Sequence, residues 1–322
     1  MLARDDKIRP VRRFPGVRPD DLPAGGVLRH VAPVLDVRAG DGPLLLARRG
    51  RRRPALHRRD GPFGDIGQPD ARLAGQALFA LAALLAAAGA ANARIVRRRP
   101  VRLPARNLQR PVRIVQLSDL HLGPVNPVGY LHRLVERANR ESPDLVLKTG
   151  DFIDGRLSDD MFAPLNDLRA PVYFVPGNHE EYVGMDEFIA RLSRTEAVPL
   201  CQRKVEAGGI ILAGIDFAWS TKGLEGMVAK VAPADGKYSI LMSHGPPAFD
   251  AARKAGFDLT LSGHTHGGQL WPFTMFGRLL VRYRAGLYER EGKHLFVTTG
   301  TGTWGPPLRL GTNSEMVAIE IG

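Results

Sequence analysis

The stretch Ser262-Gly263-His264-Thr265-His266-Gly267-Gly268 sets two histidines two residues apart between glycines. Alone, such a pair reads either as metal ligands or as a polar turn. Its company decides the matter. Four more short motifs precede it: SDLHLG from Ser118 to Gly123, TGDFID from Thr149 to Asp154, PGNHEE from Pro176 to Glu181 and SHGPP from Ser243 to Pro247. Each of the five closes a short apolar run that reads as a strand, namely VRIVQL, DLVLK, PVYFV, YSILM and, before SGHTHGG, FDLTL.

Helical spacing fills the intervals. From Tyr130 to Arg140, Leu131, Leu134, Val135 and Ala138 recur at i, i+3, i+4 and i+7, and Met185 to Leu192 puts Phe188, Ile189 and Leu192 on one face. Short helices are expected over Met161 to Leu168, near Met227, and from Ala248 to Lys254. GGIILAGID adds a strand, and the tail reads as the strands RLLVRY, KHLFVTT and SEMVAIEI. Alternating strands and helices predict a layered α/β domain with helices on both faces of the sheets. In such folds the loops at the carboxyl ends of strands form the ligand crevice, and all five motifs stand there.

Collected from those ends, Asp119, His121, Asp151, Asn178, His179, His244, His264 and His266 include five of the nine histidines of the chain. Imidazole with carboxylate suits Mn, Fe, Zn or Ni, whereas an all-oxygen set would suit Mg or Ca. The set is too large for one tetrahedral ion; it suits two ions about 3.5–4 Å apart that share a carboxylate. If the chain is extended there, Asp119 and His121 share a side, as do His264 and His266. Glycines before Asp151, Asn178 and His264 leave room for sharp turns and close approach. Cys201 is the single cysteine, which excludes an intramolecular disulfide and a cysteine-based zinc site.

The order DxH, GDxxD, GNHE, H, GHTH resembles the calcineurin-like metallophosphoesterase superfamily over residues 112–322. That resemblance implies an αββα sandwich with the metal site at the carboxyl ends of the strands. It implies two divalent or mixed-valence transition metal ions, the first on Asp119, His121 and His266, the second on Asn178, His244 and His264, with Asp151 bridging. A metal-bound hydroxide would attack phosphorus, His179 would donate a proton to the leaving oxygen, and Asp154 would orient a histidine. GHTHGGQLWPF (Gly263 to Phe273) and GTGTWGPPLRLG (Gly300 to Gly311) resemble the bacterial membrane-associated branch of YkuE and YaeI types. The expected function is hydrolysis of a phosphodiester, pyrophosphate or phosphomonoester, with a lipid or lipid-nucleotide as the suggested substrate. A nuclease or cyclic-nucleotide phosphodiesterase is one alternative, and an inactive phosphoesterase-like scaffold another. The apolar run Trp271, Phe273, Met275 and Phe276 reads either as a lipid-facing wall or as sheet packing. Arg278, Arg282 and Arg284 read either as partners of a second phosphate or as a solvated strand face.

Charge separates the chain into parts. Residues 1–113 carry 24 Lys and Arg against 9 Asp and Glu, a net of +15, while residues 114–322 carry 21 against 24, a net of −3. The excess behind the overall +12 therefore belongs to the N-terminal third, which argues against a nucleic-acid partner for the catalytic part. Residues 1–70 are rich in Arg, Pro, Gly and Ala without sustained periodicity, and read as a basic, disordered arm or as an upstream extension from a displaced start. Residues 73–93 run 21 positions without a charge, enough to cross a hydrocarbon core of about 30 Å. A transmembrane helix is thus expected over 71–94, with attachment to a bacterial inner membrane. Pro100, Pro104 and Pro111 mark 95–111 as an extended linker, and the catalytic domain is expected over 112–322.

Overall fold

Leu145–Thr149 is buried along its whole length, with Leu145 and Leu147 in one apolar cluster and Val146 in another. A strand apolar on both faces needs a covering layer on each side. The computed structural model describes residues 71–105, 108–234 and 236–322, all within the compact unit Asp65–Gly322. The expected N-terminal arm, residues 1–70, lies outside the described residues.

Two six-stranded sheets stack face to face. The first holds, in spatial order, β1 (Val96–Leu103), β12 (Ser314–Ile321), β2 (Val112–Leu117), β3 (Leu145–Thr149), β4 (Val172–Val175) and β5 (Val198–Pro199). The second runs β10 (Gly286–Arg290), β11 (Lys293–Val297), β9 (Leu259–Ser262), β8 (Ser239–Met242), β7 (Ile210–Gly214) and β6 (Arg203–Ala207). Between them lie Ile114, Leu147 and Val317 from one sheet and Leu212, Ile240 and Leu261 from the other. Outside the first sheet, α2 (Val128–Arg140) and α4 (Met185–Leu192) bury Leu131, Leu134, Phe188 and Leu192 against Val115, Val146 and Phe174. Outside the second, α5 (Leu224–Lys230) and α6 (Ala248–Lys254) pack with Ala213 and Leu241. The layers are helix, sheet, sheet, helix, as the motif order implies.

Three helices stand apart from this wrapping: α1 (Ala71–Arg94), α3 (Asn178–Val183), which begins inside the PGNHEE motif, and α7 (Phe273–Leu280). The helix α1 is long and apolar enough to cross a membrane by length and composition.

Three expectations need correction, and two strands went unread. Within the expected linker, Val96–Leu103 forms β1, parallel to β12, and its Pro100 is tolerated because β1 is an edge strand that needs no ladder hydrogen bond on its outer side. RLLVRY is not a strand: its first part completes α7, which follows Pro272, and short apolar runs do not separate strand from helix by period. Met161 to Leu168 is replaced by two 3₁₀ turns, Asp159–Met161 and Ala163–Asp167, the second carrying Pro164 in its first turn. The polar strands β6 and β10 carry too little apolar signal to read from sequence; both lie at sheet edges.

Candidate metal centre

Asp119 and His121 follow β2, Asp151 follows β3, Asn178 and His179 open α3 just past β4, His244 follows β8, and His264 and His266 follow β9. The strands β2, β3 and β4 are parallel, as are β7, β8 and β9, so these ends gather along one rim. Seven of the eight side chains fall into three sets whose ligand atoms lie within 4.8 Å of one another: Asp119, His121 and His266; His121, Asp151 and His179; Asp151, His244 and His264. The eighth, Asn178, lines the same cavity as His121 and Asp151.

Extended-strand alternation is not what aligns the paired residues. The strand β2 ends at Leu117, and Asp119, His121, Asp151, His264 and His266 all take left-handed backbone, with φ of 53°, 46°, 49°, 73° and 49°. Asp and His tolerate this region better than most side chains, yet each such residue costs of order 1–3 kcal/mol. The loops are held by cross-bonds: Asp119 N–H donates to Gly150 O at 3.0 Å, His121 N–H to Asp151 O at 3.1 Å, and Gly302 N–H to Asp119 O at 2.9 Å. Close approach explains all three glycines, and a Cβ at Gly177 would strike Asp151 Oδ1. A Cβ at Gly150 would strike the His244 ring, and one at Gly263 would strike Ser118 Oγ and Asp119 Oδ2.

The ring nitrogens are set by what lies behind them. His244 Nδ1 donates to Thr149 O at 2.7 Å, which leaves the Nε2 lone pair facing Asp151 Oδ2 at 3.1 Å and His264 Nδ1 at 3.1 Å. His121 Nδ1 donates to Asp154 Oδ1 at 3.0 Å, which turns its Nε2 toward His266 Nε2, also 3.0 Å away. Asp119 Oδ1 accepts the His264 N–H at 2.9 Å and Asp151 Oδ1 the His179 N–H at 3.1 Å. Asp119 Oδ2 and Asn178 Oδ1 remain buried with no hydrogen-bond partner among the described residues. Buried orphan oxygens and imidazole lone pairs aimed at one another are unfavourable unless a cation lies between them. The residues present therefore fit a metal ion.

Electrostatics agree. Burial, reinforced by His244, pulls His264 down to about 4, and burial, with His121 and Arg309 adding to it, pulls His266 down to about 3, so both rings stay neutral and able to ligate. Burial also opposes charge on His244, but Asp151 outweighs it and pushes that ring up to about 9, a sign of how strongly this spot calls for positive charge. For His179, burial is likewise overcome by the Asp154 hydrogen bond and the Asp151 charge, and its pKa lies above the ordinary imidazole value. Asp154 Oδ1 reaches both rings, His121 Nδ1 at 3.0 Å and His179 Nδ1 at 2.5 Å.

Three supporting residues escaped the sequence reading. Glu180 is fully buried and accepts backbone N–H bonds from Gly177 (2.6 Å), Asp151 (3.0 Å) and Phe152 (2.7 Å), tying the β3 loop to α3. Lys148, buried on β3 with Nζ 4.4 Å from the Phe152 ring centroid, is pulled down to about 7 by burial against the opposing charge of Glu180. Arg309 is fully buried, and its Nη2 donates to Thr299 O (2.6 Å) and Gly302 O (2.7 Å) while lying 3.3 Å from His266 Nδ1. Only its place in the GTGTWGPPLRLG motif hinted at a role.

The cluster opens into a cavity of about 520 Å³ walled by Tyr182, Leu270, Phe273, Trp304 and Pro306. A neighbouring cavity of about 910 Å³ shares His264, Thr265 and Gly268 and is lined by Leu224, Pro246, Pro247, Val281 and Tyr283. Of the arginines considered for a second phosphate, Arg282 pairs with Asp250 at 3.0 Å and Arg284 donates to Gly267 O, both bordering that second cavity; the Arg278 side chain lies outside the described residues.

Stacked, mostly parallel sheets with a His/Asp cluster on their strand-end loops define a metal-binding α/β protein. The calcineurin-like phosphoesterase sequence profile matches residues 112–268. An uncharacterized metallophosphoesterase of Aquifex aeolicus is 33% identical over 65% of this chain and 85% of its own length. One of Campylobacter jejuni is 36% identical over 67% of this chain and 60% of its own. A Bos taurus relative, named a transmembrane protein with metallophosphoesterase domain, is 33% identical over 65% of this chain and 52% of its own. The chain belongs to the calcineurin-like phosphoesterase family, and its matched part spans about three fifths of the Campylobacter relative.

Proposed function

We propose that this chain is a dinuclear metal-dependent phosphohydrolase acting on a phosphodiester, pyrophosphate or phosphomonoester bond. The observation that carries the reading is the position of Asp151 Oδ2, 3.1 Å from His244 Nε2 and 3.8 Å from His121 Nε2. One carboxylate thus touches both halves of the cluster. Asp119, His121 and His266 hold one ion, Asn178, His244 and His264 the other, and Asp151 is shared. Imidazole and carboxylate donors fit Mn, Fe, Zn or Ni. When bound, such ions supply an activated water and neutralise phosphate oxygens. His179 has Nδ1 held by Asp154 and Nε2 3.9 Å from Asp151 Oδ2 at the wall of the cavity, and its raised pKa keeps a proton available for the leaving oxygen. The apolar helix α1 and the name of the bovine relative support membrane attachment, and a lipid-linked phosphoester is the substrate class proposed with it.

The test is a hydrolysis panel on the full chain in detergent, with Mn, Fe, Zn or Ni supplied. Aryl phosphomonoester, aryl phosphodiester, cyclic nucleotides and UDP-diacylglucosamine are compared. Metal-dependent turnover of at least one, abolished in Asp151→Ala, is the expected result. Bound metal without turnover of any would return the chain to the scaffold reading.

A further inference from the structure

Over Phe273–Gly277, the part of α7 whose side chains are described, the helix is built inside out for a water-facing surface. The inner positions there are small, with Thr274 buried and Gly277 backed onto Arg284. Phe273, Met275 and Phe276 face outward at 67%, 52% and 49% exposure, and Trp271 just ahead of them is 63% exposed. A surface helix ordinarily does the reverse and buries its large apolar side chains. Clustered large apolar side chains left uncovered mark an interaction surface.

The position of α1 identifies what covers them. Residues 72–88 of α1 are exposed throughout, and burial begins at Gly89. At 1.5 Å per residue those exposed turns extend roughly 25 Å, close to the thickness of a hydrocarbon core. The plane at which α1 leaves the bilayer is therefore the plane of Gly89. There the loop carrying Leu310 meets it: Gly89 packs on Leu310, and Arg309 N–H donates to Gly89 O at 3.0 Å. The same Leu310 accepts the Trp271 N–H at 2.9 Å, so Trp271 and α7 are seated at that plane. Among the described residues Arg94 and Arg97, at the foot of α1, bond to the neutral acceptors Ala90 O and Asn92 Oδ1 and keep their charge for anionic headgroups. Large apolar side chains with an indole beside a basic collar are the chemistry of a membrane interface.

We propose that Trp271 and the outer face of α7 form an interfacial anchor that seats the mouth of the metal cavity on the lipid surface. Phe273 belongs to both, since it also lines the cavity of the metal cluster. A lipid-linked phosphoester then reaches the metal site without leaving the bilayer surface. That consequence rests on the phosphohydrolase reading, whereas the seating rests only on α1 as a membrane span.

The test uses the full chain in vesicles of phosphatidylethanolamine and phosphatidylglycerol, with Trp219→Phe and Trp304→Phe so that Trp271 alone emits. Quenching of Trp271 by lipids brominated on the acyl chain is expected, together with protection from aqueous iodide. Quenching by iodide and not by brominated lipid overturns the proposal. Protection from both means that a second copy covers the patch, and overturns it too. Met275→Glu with Phe276→Glu leaves α1 in the bilayer; it is expected to abolish the quenching and to slow hydrolysis of a vesicle-embedded lipid phosphoester by about tenfold or more, the cost of losing two apolar contacts. Hydrolysis of a soluble aryl phosphodiester should be unchanged. A wild-type chain that is quenched by brominated lipid but hydrolyses neither substrate would sink the functional reading alone.

Discussion

Asp154 serves two rings with one oxygen, His121 Nδ1 at 3.0 Å and His179 Nδ1 at 2.5 Å. Asp154→Asn removes the charge that fixes both tautomers, and metal affinity is expected to fall about 10–100-fold. Calorimetric titration with Zn or Mn reads this directly, and unchanged affinity would mean that the rings are oriented by packing alone. Arg309 poses the opposite case, a buried cation whose near partners are carbonyl oxygens. In Arg309→Met those oxygens lose their donors, and a loss of about 3 kcal/mol or more is expected in urea unfolding. Arg309→Lys should recover little, because an ammonium lacks the planar fork that spans them. The strand-end placement of Asp119, His121, Asp151, Asn178 and the four later histidines was legible because each sits in a short polar motif. Arg309 was not, since the oxygens it binds come from loops that only folding brings around it.

The strand β1 is the element whose role the sequence obscured. Four arginines and Pro100 gave it the look of a linker, yet Val96, Val101 and Leu103 are buried and eight residues pair in register with β12. A chain cut to begin at Val112 would uncover the β12 edge and the apolar faces beneath it. It is expected to melt lower and aggregate more than one cut to begin at Arg94, as read by thermal unfolding and light scattering; equal behaviour would show β1 to be dispensable. The elements read best are those with a strong apolar signal, α2 with its four buried positions and β12 with its apolar run. The helix α7 defeated the reading because Phe273, Met275 and Phe276 do not mark a buried face at all.

At the scale of the whole molecule the candidate metal site is a tie between sheets. Asp119 and Asp151 come from one sheet, His244, His264 and His266 from the other, and ligand sets span both. Metal binding is therefore expected to stabilise the folded chain by about 2.7 kcal/mol per site at a hundredfold excess over Kd. Calorimetric melting before and after chelation, then after Zn or Mn is restored, measures it. A melting temperature indifferent to metal would separate the site from the fold. By itself the sequence determined the layered α/β class, the strand-end position of every expected donor and the apolar span of α1, because these follow from periodicity and from motifs local in the chain. Only the tertiary structure decided which histidine faces which carboxylate, that β1 closes the sheet, and that α7 turns its apolar side outward. Those outcomes depend on contacts between residues far apart in the chain, and neither local propensity nor the motif itself, HxH between its glycines included, records them.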